Sequence, residues 1–203
     1  ISCFTASKNM VAYFSGKENE IYIIKDGKTK KLLLERSVTD LAISETEDFL
    51  AITKLSEKYT YYTYVYDLQE NKYLTGKLEG FRNPCSTYHN DSLVLAGITS
   101  EQNKSSLEYY KIDSSTTLKN NFSSKKEEES LWVDFSKIEI YDITSGITKN
   151  TLGILGKIEN SWFVGEVSLD NFIKKNYEKN PIYFEIAYNL PMDIFPLSLK
   201  KTL

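Results

Sequence analysis

Arginine is nearly absent from this chain. Only Arg36 and Arg82 carry a guanidinium, and 28 acidic against 25 basic residues leave a net charge of −3. Binding a nucleic-acid backbone needs a basic footprint, and phosphate forks are built from arginine, so nucleic acid is excluded as a partner class. The paired lysines at 125–126 are offset at once by Glu127, Glu128 and Glu129, the pattern of a solvated loop. Histidine is reduced to His89, which rules out His-rich zinc sites. Two cysteines among 203 residues cannot build a disulfide scaffold. Four prolines and nine glycines are too few for a low-complexity or collagen-like chain. No apolar run reaches the length of about 18 residues that a membrane helix needs.

Cys85 and His89 are four apart, a spacing that metal ligands use, but a zinc site would need Cys3 to converge on them. Both read more simply as strand-end residues. Nothing around Cys85 marks a lowered thiol pKa, so a Cys–His nucleophile has no support either. Cys3 and Cys85 fall at the same point of a repeat, two units apart, and are therefore expected to remain two thiols. Ile1-Ser2-Cys3 resembles the end of a relaxed lipobox, in which Cys3 would carry a lipid; the competing reading is a segment left after removal of a signal. Gly27-Lys28-Thr29 lacks the upstream glycine of a phosphate loop, since that position is Tyr22. The acidic pairs Glu18 with Glu20 and Asp91 with Glu101 carry no catalytic meaning without geometry. No catalytic residue, cofactor or metal is expected.

What the chain has is tyrosine, 15 in all, and it recurs at Tyr22, Tyr66, Tyr110, Tyr141 and Tyr183. Most of these tyrosines end an alternating apolar run followed by a polar turn. A strand-rich repeat of about 40–45 residues predicts propeller blades. Repeat one gives strands near Phe4, over 10–15 and 20–24, then an Asp26-Gly27 turn and an outer strand over 31–35. Repeat two gives 39–44, 49–54, 59–67 and 73–78. Repeat three gives 86–89, 92–99, 106–112 and 117–120. The shorter interval before Tyr141 predicts a trimmed fourth blade with strands 131–135, 137–142 and 148–155. Beyond Gly156 the pattern loosens into a strand over 161–167 and a short helix over 168–177, capped by Ser168, with Leu169, Phe172 and Ile173 on one face. Strands over 182–188 and 195–199 follow. The expected class is all-β: a propeller of four to five small antiparallel blades with one short helix near the C-terminus. It is read as a single domain over 1–203, with clear repeats over 4–155 and an irregular closing region over 156–203, and as part of a longer exported chain. A β-sandwich with coincidental tyrosine spacing is the competing architecture.

The run Tyr59, Tyr61, Tyr62, Tyr64, Tyr66 has the look of a base-stacking platform. The acidic balance decides for packing: Tyr62, Tyr64 and Tyr66 on one strand face, Tyr61 and Val65 on the other. Trp132 and Trp162 read as core or inter-blade wedges, and would be partner anchors if exposed.

The first unit resembles the repeat of TolB-like propellers at Phe4, Ser7, Val11-Ala12-Tyr13-Phe14 and Glu20-Ile21-Tyr22-Ile23. Val65-Tyr66-Asp67-Leu68 and Ile140-Tyr141-Asp142-Ile143 are similar to the strand end that carries Trp-Asp in WD repeats. The resemblance spans about residues 4–155. It departs from both families, with no Gly-His pair and with Lys8-Asn9 and Thr46-Glu47-Asp48 in place of Pro-Asp-Gly. It implies a non-catalytic scaffold of the bacterial cell envelope, exported to the periplasm or associated with the outer membrane, that supports outer-membrane integrity by binding another envelope protein. With the lysine-rich composition and the Cys3 segment it looks like a spirochaete-type protein, anchored by a lipid upstream or at Cys3. The alternative is a carbohydrate-binding or glycan-processing propeller using carboxylates in the axial channel.

Overall fold

The computed structural model describes residues 2–89, 92–101, 104–112, 133–134, 138–145, 150–158, 161–169 and 185–190. They form four antiparallel sheets whose strands follow chain order. Sheet one contains β1 (Cys3–Ala6), β2 (Met10–Ser15), β3 (Glu20–Lys25) and β4 (Lys28–Leu34). Strict alternation buries Met10, Ala12 and Phe14 on one side of β2. The β3–β4 turn is the expected one: Asp26 and Gly27 both have positive φ, 51° and 71°, and Lys25 pairs with Lys28. Two such residues match the twist of the flanking strands, which is why Asp-Gly is favoured there.

Sheet two holds β5 (Val38–Ile43), β6 (Phe49–Leu55) and β7 (Tyr61–Asp67), with β8 (Lys72–Tyr73) and β9 (Leu78–Glu79) both pairing with β7. The outer strand expected over 73–78 is split. At the break the Val65 N–H donates to the Thr75 hydroxyl (2.9 Å) and the Leu74 N–H donates to the Val65 carbonyl (2.8 Å). A side-chain acceptor thus satisfies the backbone donor and lets the strand leave the ladder.

Sheet three is β10 (Arg82–His89), β11 (Ser92–Glu101), β12 (Lys104–Ile112) and β13 (Val133–Asp134). Its outer strand is therefore Val133–Asp134, residues that the repeat pattern assigns to blade four; the expected strand over 117–120 lies outside the described residues. Sheet four is β14 (Ile138–Ser145), β15 (Thr151–Ile158), β16 (Ser161–Ser168) and β17 (Glu185–Leu190). The fourth unit is thus neither trimmed nor finished at 155, because its third and fourth strands come from the stretch read as a closing region. Ser168, expected to cap a helix, ends β16. Leu169 after it is helical, no further helical residue stands among the described residues, and the rest of the expected helix, over 170–177, lies outside them.

Tyr22, Tyr66 and Tyr110 occupy corresponding places, the third strand of sheets one, two and three. Tyr141 does not: it lies in the first strand of sheet four. The short interval before it records a change of strand. Tyr183 lies outside the described residues.

The first strands stand side by side, β1 against β5, β5 against β10 and β10 against β14, which places them nearest a common axis. β14 does not return to β1 with a contact of comparable extent among the described residues. Each gap between successive sheets is an apolar layer. Ala12, Phe14 and Ile21 meet Leu41, Leu50, Ile52 and Tyr66 in the first. Phe49, Ala51 and Val65 meet Leu93, Leu95 and Ile112 in the second, with Phe81 wedged between. Val94, Ala96, Ile98 and Leu107 meet Ile140, Leu152, Ile154 and Phe163 in the third. A sheet with two apolar faces gains its burial from both neighbours, which is the physical reason for radial stacking.

Candidate functional site

The inner strands of sheets two, three and four share a feature at one end. β5, β10 and β14 each break register near their starts, between Val38 and Asp40, Arg82 and Cys85, and Ile140 and Asp142. β1 pairs with β2 without a shift. A bulge leaves a residue out of the ladder and re-aims its side chain. The residues left out are Thr39, Asn83, Pro84 and Tyr141, and Asp40 and Asp142 resume the ladder directly after Thr39 and Tyr141. The carboxylates of Asp40 and Asp142 each accept the N–H of the following residue, Leu41 at 2.9 Å and Ile143 at 3.0 Å. Asn83, at φ 48°, has the left-handed backbone that asparagine tolerates.

These groups join across sheets three and four. The Arg82 guanidinium donates to the Asn83 side-chain oxygen at 3.0 Å, and the Asn83 amide donates to Asp142 Oδ1 at 3.0 Å. Asp142 is itself buried. Arg82 is half-buried, and its burial pulls the guanidinium pKa down, opposed by Tyr61, Asp142 and Tyr141. Tyr141 lies on β14 with its hydroxyl donating to Glu139 at 2.6 Å. That bond first, and burial second, raise the phenol above its ordinary value, while Arg82 lowers it. Tyr61 opens β7 at the same end, and Tyr59 precedes it at φ 59° in the turn that leads there. Tyr59 is 84% exposed, Tyr61 37% and Tyr141 36%.

Trp162, expected as an anchor if exposed, is 5% exposed. Its ring lies 4.6 Å from that of Tyr141, so it supports the rim from behind instead of meeting a partner. Trp132 lies outside the described residues. Cys3 is in β1, paired with Phe14 and packed on the first apolar layer, while Cys85 is buried in β10; no disulfide joins them. The tyrosine run divides as the alternation predicts. Tyr62 and Tyr64 pack edge to face at 5.5 Å, Tyr73 covers Tyr64 and Tyr66, and Lys77 lies 4.6 Å over the Tyr62 ring. Tyr61, on the opposite side, lies within electrostatic reach of Arg82. Glu18 and Glu20 both accept from the Tyr22 hydroxyl, and Glu20 also from Lys31, so this pair serves the surface of sheet one. Asp91 lies outside the described residues. No cluster of metal-ligating side chains occurs among the described residues. Arg82 and Asn83 were not singled out by the sequence reading. The available signal was rarity: one of two arginines, directly before an Asn-Pro pair that opens a strand.

No family model matches the chain, and no curated protein matches it. Solved structures do. A prolyl endopeptidase shares 12% identity with a TM-score of 0.57 over 93% of this chain and 29% of its own. The β-propeller domain of Myceliophthora thermophila Cps50 (Swd1) shares 14% with a TM-score of 0.50, over 85% of this chain and 53% of its own. The fold is that of a β-propeller. TolB from Acinetobacter baumannii shares 10% identity with a TM-score of 0.42, over 81% of this chain and 51% of its own. At these identities the likeness is one of fold alone. The chain spans under a third of the prolyl endopeptidase and about half of the Swd1 domain.

Proposed function

We propose that this propeller is a non-catalytic protein-binding module whose binding face is the bulged end of its inner strands. The observation that carries the reading is the half-buried Arg82 with the exposed Tyr61 and Tyr141 within electrostatic reach, and the exposed Tyr59 on the turn that leads into β7. Tyrosine and arginine are the residue types that dominate binding energy at protein interfaces, and a rigid ring costs little entropy to immobilise. The TolB-like residues of the first repeat support an exported protein that binds another component of a bacterial cell envelope.

A glycan-binding reading draws on Asp40 and Asp142, carboxylates at equivalent bulges. Sugar recognition needs acceptors open to vicinal hydroxyls, whereas both carboxylates accept main-chain N–H groups and Asp142 also accepts from Asn83. That favours a protein partner. The test is a pull-down from envelope extract with wild type and a Tyr59→Ser, Tyr61→Ser variant as parallel baits, alongside a glycan array. A partner retained by wild type and lost by the variant is the expected result. Equal retention by both baits, or saturable glycan binding with no protein captured, overturns the reading.

A further inference from the structure

We infer that Arg82 is the recognition point for a peptide carboxylate presented by the partner. The inference rests on the protein-binding reading and names the chemistry of its centre.

Among the described residues Arg82 is a cation held half-buried without an ion pair. Each ion pair among the described residues uses a lysine, on Glu20, Glu35, Glu47, Glu70 or Glu79. Arg82 takes part in none of them. A guanidinium carries five N–H donors in a planar fork. Here it makes one side-chain bond, to the neutral amide oxygen of Asn83. Holding a charged group half-buried costs free energy unless it is paired, so a desolvated guanidinium with donors to spare is suited to an incoming anion. Asn83 fixes its direction, and Asn83 is fixed in turn by Asp142 across the gap between sheets three and four. The site is thereby pre-organised by two different sheets, with Tyr61 and Tyr141 within electrostatic reach.

The surroundings select the anion. Asp142 lies one amide away, Glu139 holds the hydroxyl of the neighbouring Tyr141, and the whole chain is acidic. A phosphate dianion or a polyanion would meet those charges, whereas a single carboxylate matches the fork with the least repulsion. Exposed tyrosines within electrostatic reach of the fork suit a peptide backbone and its side chains. The carboxylate can come from a chain terminus or from a Glu or Asp side chain, and the probes below separate the two.

With two arginines in the protein, the Nε–Hε region of a 15N spectrum holds two signals, and Arg82→Lys assigns them by deleting one. The probes are acetyl-tetraglycine with a C-terminal carboxylate, the same peptide as its amide, an amide-capped peptide with one internal glutamate, galacturonate and inorganic phosphate. A saturable shift of the Arg82 signal is expected with a carboxylate peptide, at a Kd on the order of 1 mM for so small a probe. The Arg36 signal and the amide probe stay silent. A response to the tetraglycine carboxylate alone assigns a chain terminus, and a response to the glutamate peptide assigns a side chain. Arg82→Lys, checked for an unchanged melting profile, should lower affinity for the pulled-down partner at least about tenfold, because an ammonium lacks the fork. No response to either carboxylate peptide overturns the inference, as does a stronger response to phosphate or galacturonate. Loss of the partner in the tyrosine variant with full retention in Arg82→Lys also sinks this inference while leaving the protein-binding reading in place.

Discussion

Gly97 sits in β11 directly beneath the Phe81 ring. A Cβ built there would lie 2.2 Å from Phe81 Cζ, with two further ring carbons at 2.4 and 2.6 Å. Ordinary contact begins at 3.4 Å, so the ring must move by more than an ångström. It has nowhere to go: Phe81 is fully buried, and its carbonyl accepts from the Thr63 hydroxyl at 2.8 Å. Gly97→Ala should therefore destabilise the protein by about 2–3 kcal/mol, as overpacking in a closed core does. The sign is informative, because Gly97 lacks the positive φ that would penalise alanine, and an unobstructed Gly→Ala change would stabilise by about 0.4–1 kcal/mol. Phe81→Leu alone should cost about 1–2 kcal/mol for the lost ring volume. Combined, the two changes relieve one another, and the double variant should recover about 1–2 kcal/mol relative to the sum of the singles. Equilibrium urea unfolding reads all three, with m unchanged and the midpoint moved. Additive penalties, or a Gly97→Ala protein at least as stable as wild type, would show that the ring does not lock sheets two and three together.

Glu47 should behave as a second latch, between sheets one and two. It accepts from the Ser7 hydroxyl at 2.7 Å and the Asn9 N–H at 2.8 Å and lies 3.5 Å from Lys25, so Glu47→Ala is expected to cost about 2–3 kcal/mol in the same urea assay. The Ser7 bond holds the Glu47 pKa below its ordinary 4.5, against the effect of burial. A carboxyl depressed in the folded state contributes stability above its unfolded value and loses it as pH falls through the folded one. The stability gap between wild type and Glu47→Gln should thus narrow below pH 4.5, and a gap that widens there refutes the assignment. Thr75→Val removes the acceptor for the Val65 N–H and should lower stability by about 1–3 kcal/mol, seen as faster amide exchange at Val65. Trp162→Ala should destabilise by about 3–5 kcal/mol, the range for an aromatic deleted from a core; a small cost would place its ring outside the core.

The fold was legible where strand periodicity and turn chemistry agree. Asp26-Gly27 fixed one hairpin, and the spacing of Tyr22, Tyr66 and Tyr110 marked three third strands in succession. It stopped being legible at Tyr141, for a specific reason. An alternating apolar strand ending in Tyr-Asp looks the same whether it is first or third in its sheet, because period 2 reports burial and not order. Phase has to come from the segments between strands, and a two-residue partner such as Val133–Asp134 is too short to carry any periodicity. The split of the outer strand around Thr75 was hidden similarly, since it depends on one hydroxyl replacing one backbone acceptor.

The candidate site was hidden at a deeper level. Its members come from three sheets: Tyr61 on β7, Arg82 and Asn83 on β10, and Tyr141 and Asp142 on β14. In a radial stack the starts of the inner strands converge although they are a full repeat apart in the chain, so no local motif records them. Residues that meet there are free to be individually unremarkable. Asp142 looked like a degraded Trp-Asp strand end, and in place it is the acceptor that orders Asn83. The two latches explain why such a site can be exact without a local signature. Phe81 over Gly97 joins sheets two and three, Glu47 under Ser7 and Asn9 joins sheets one and two, and the Asn83–Asp142 bond joins sheets three and four at the rim itself. Binding energy is then not consumed in ordering the site, which is the condition under which one half-buried guanidinium can discriminate between a carboxylate and its amide.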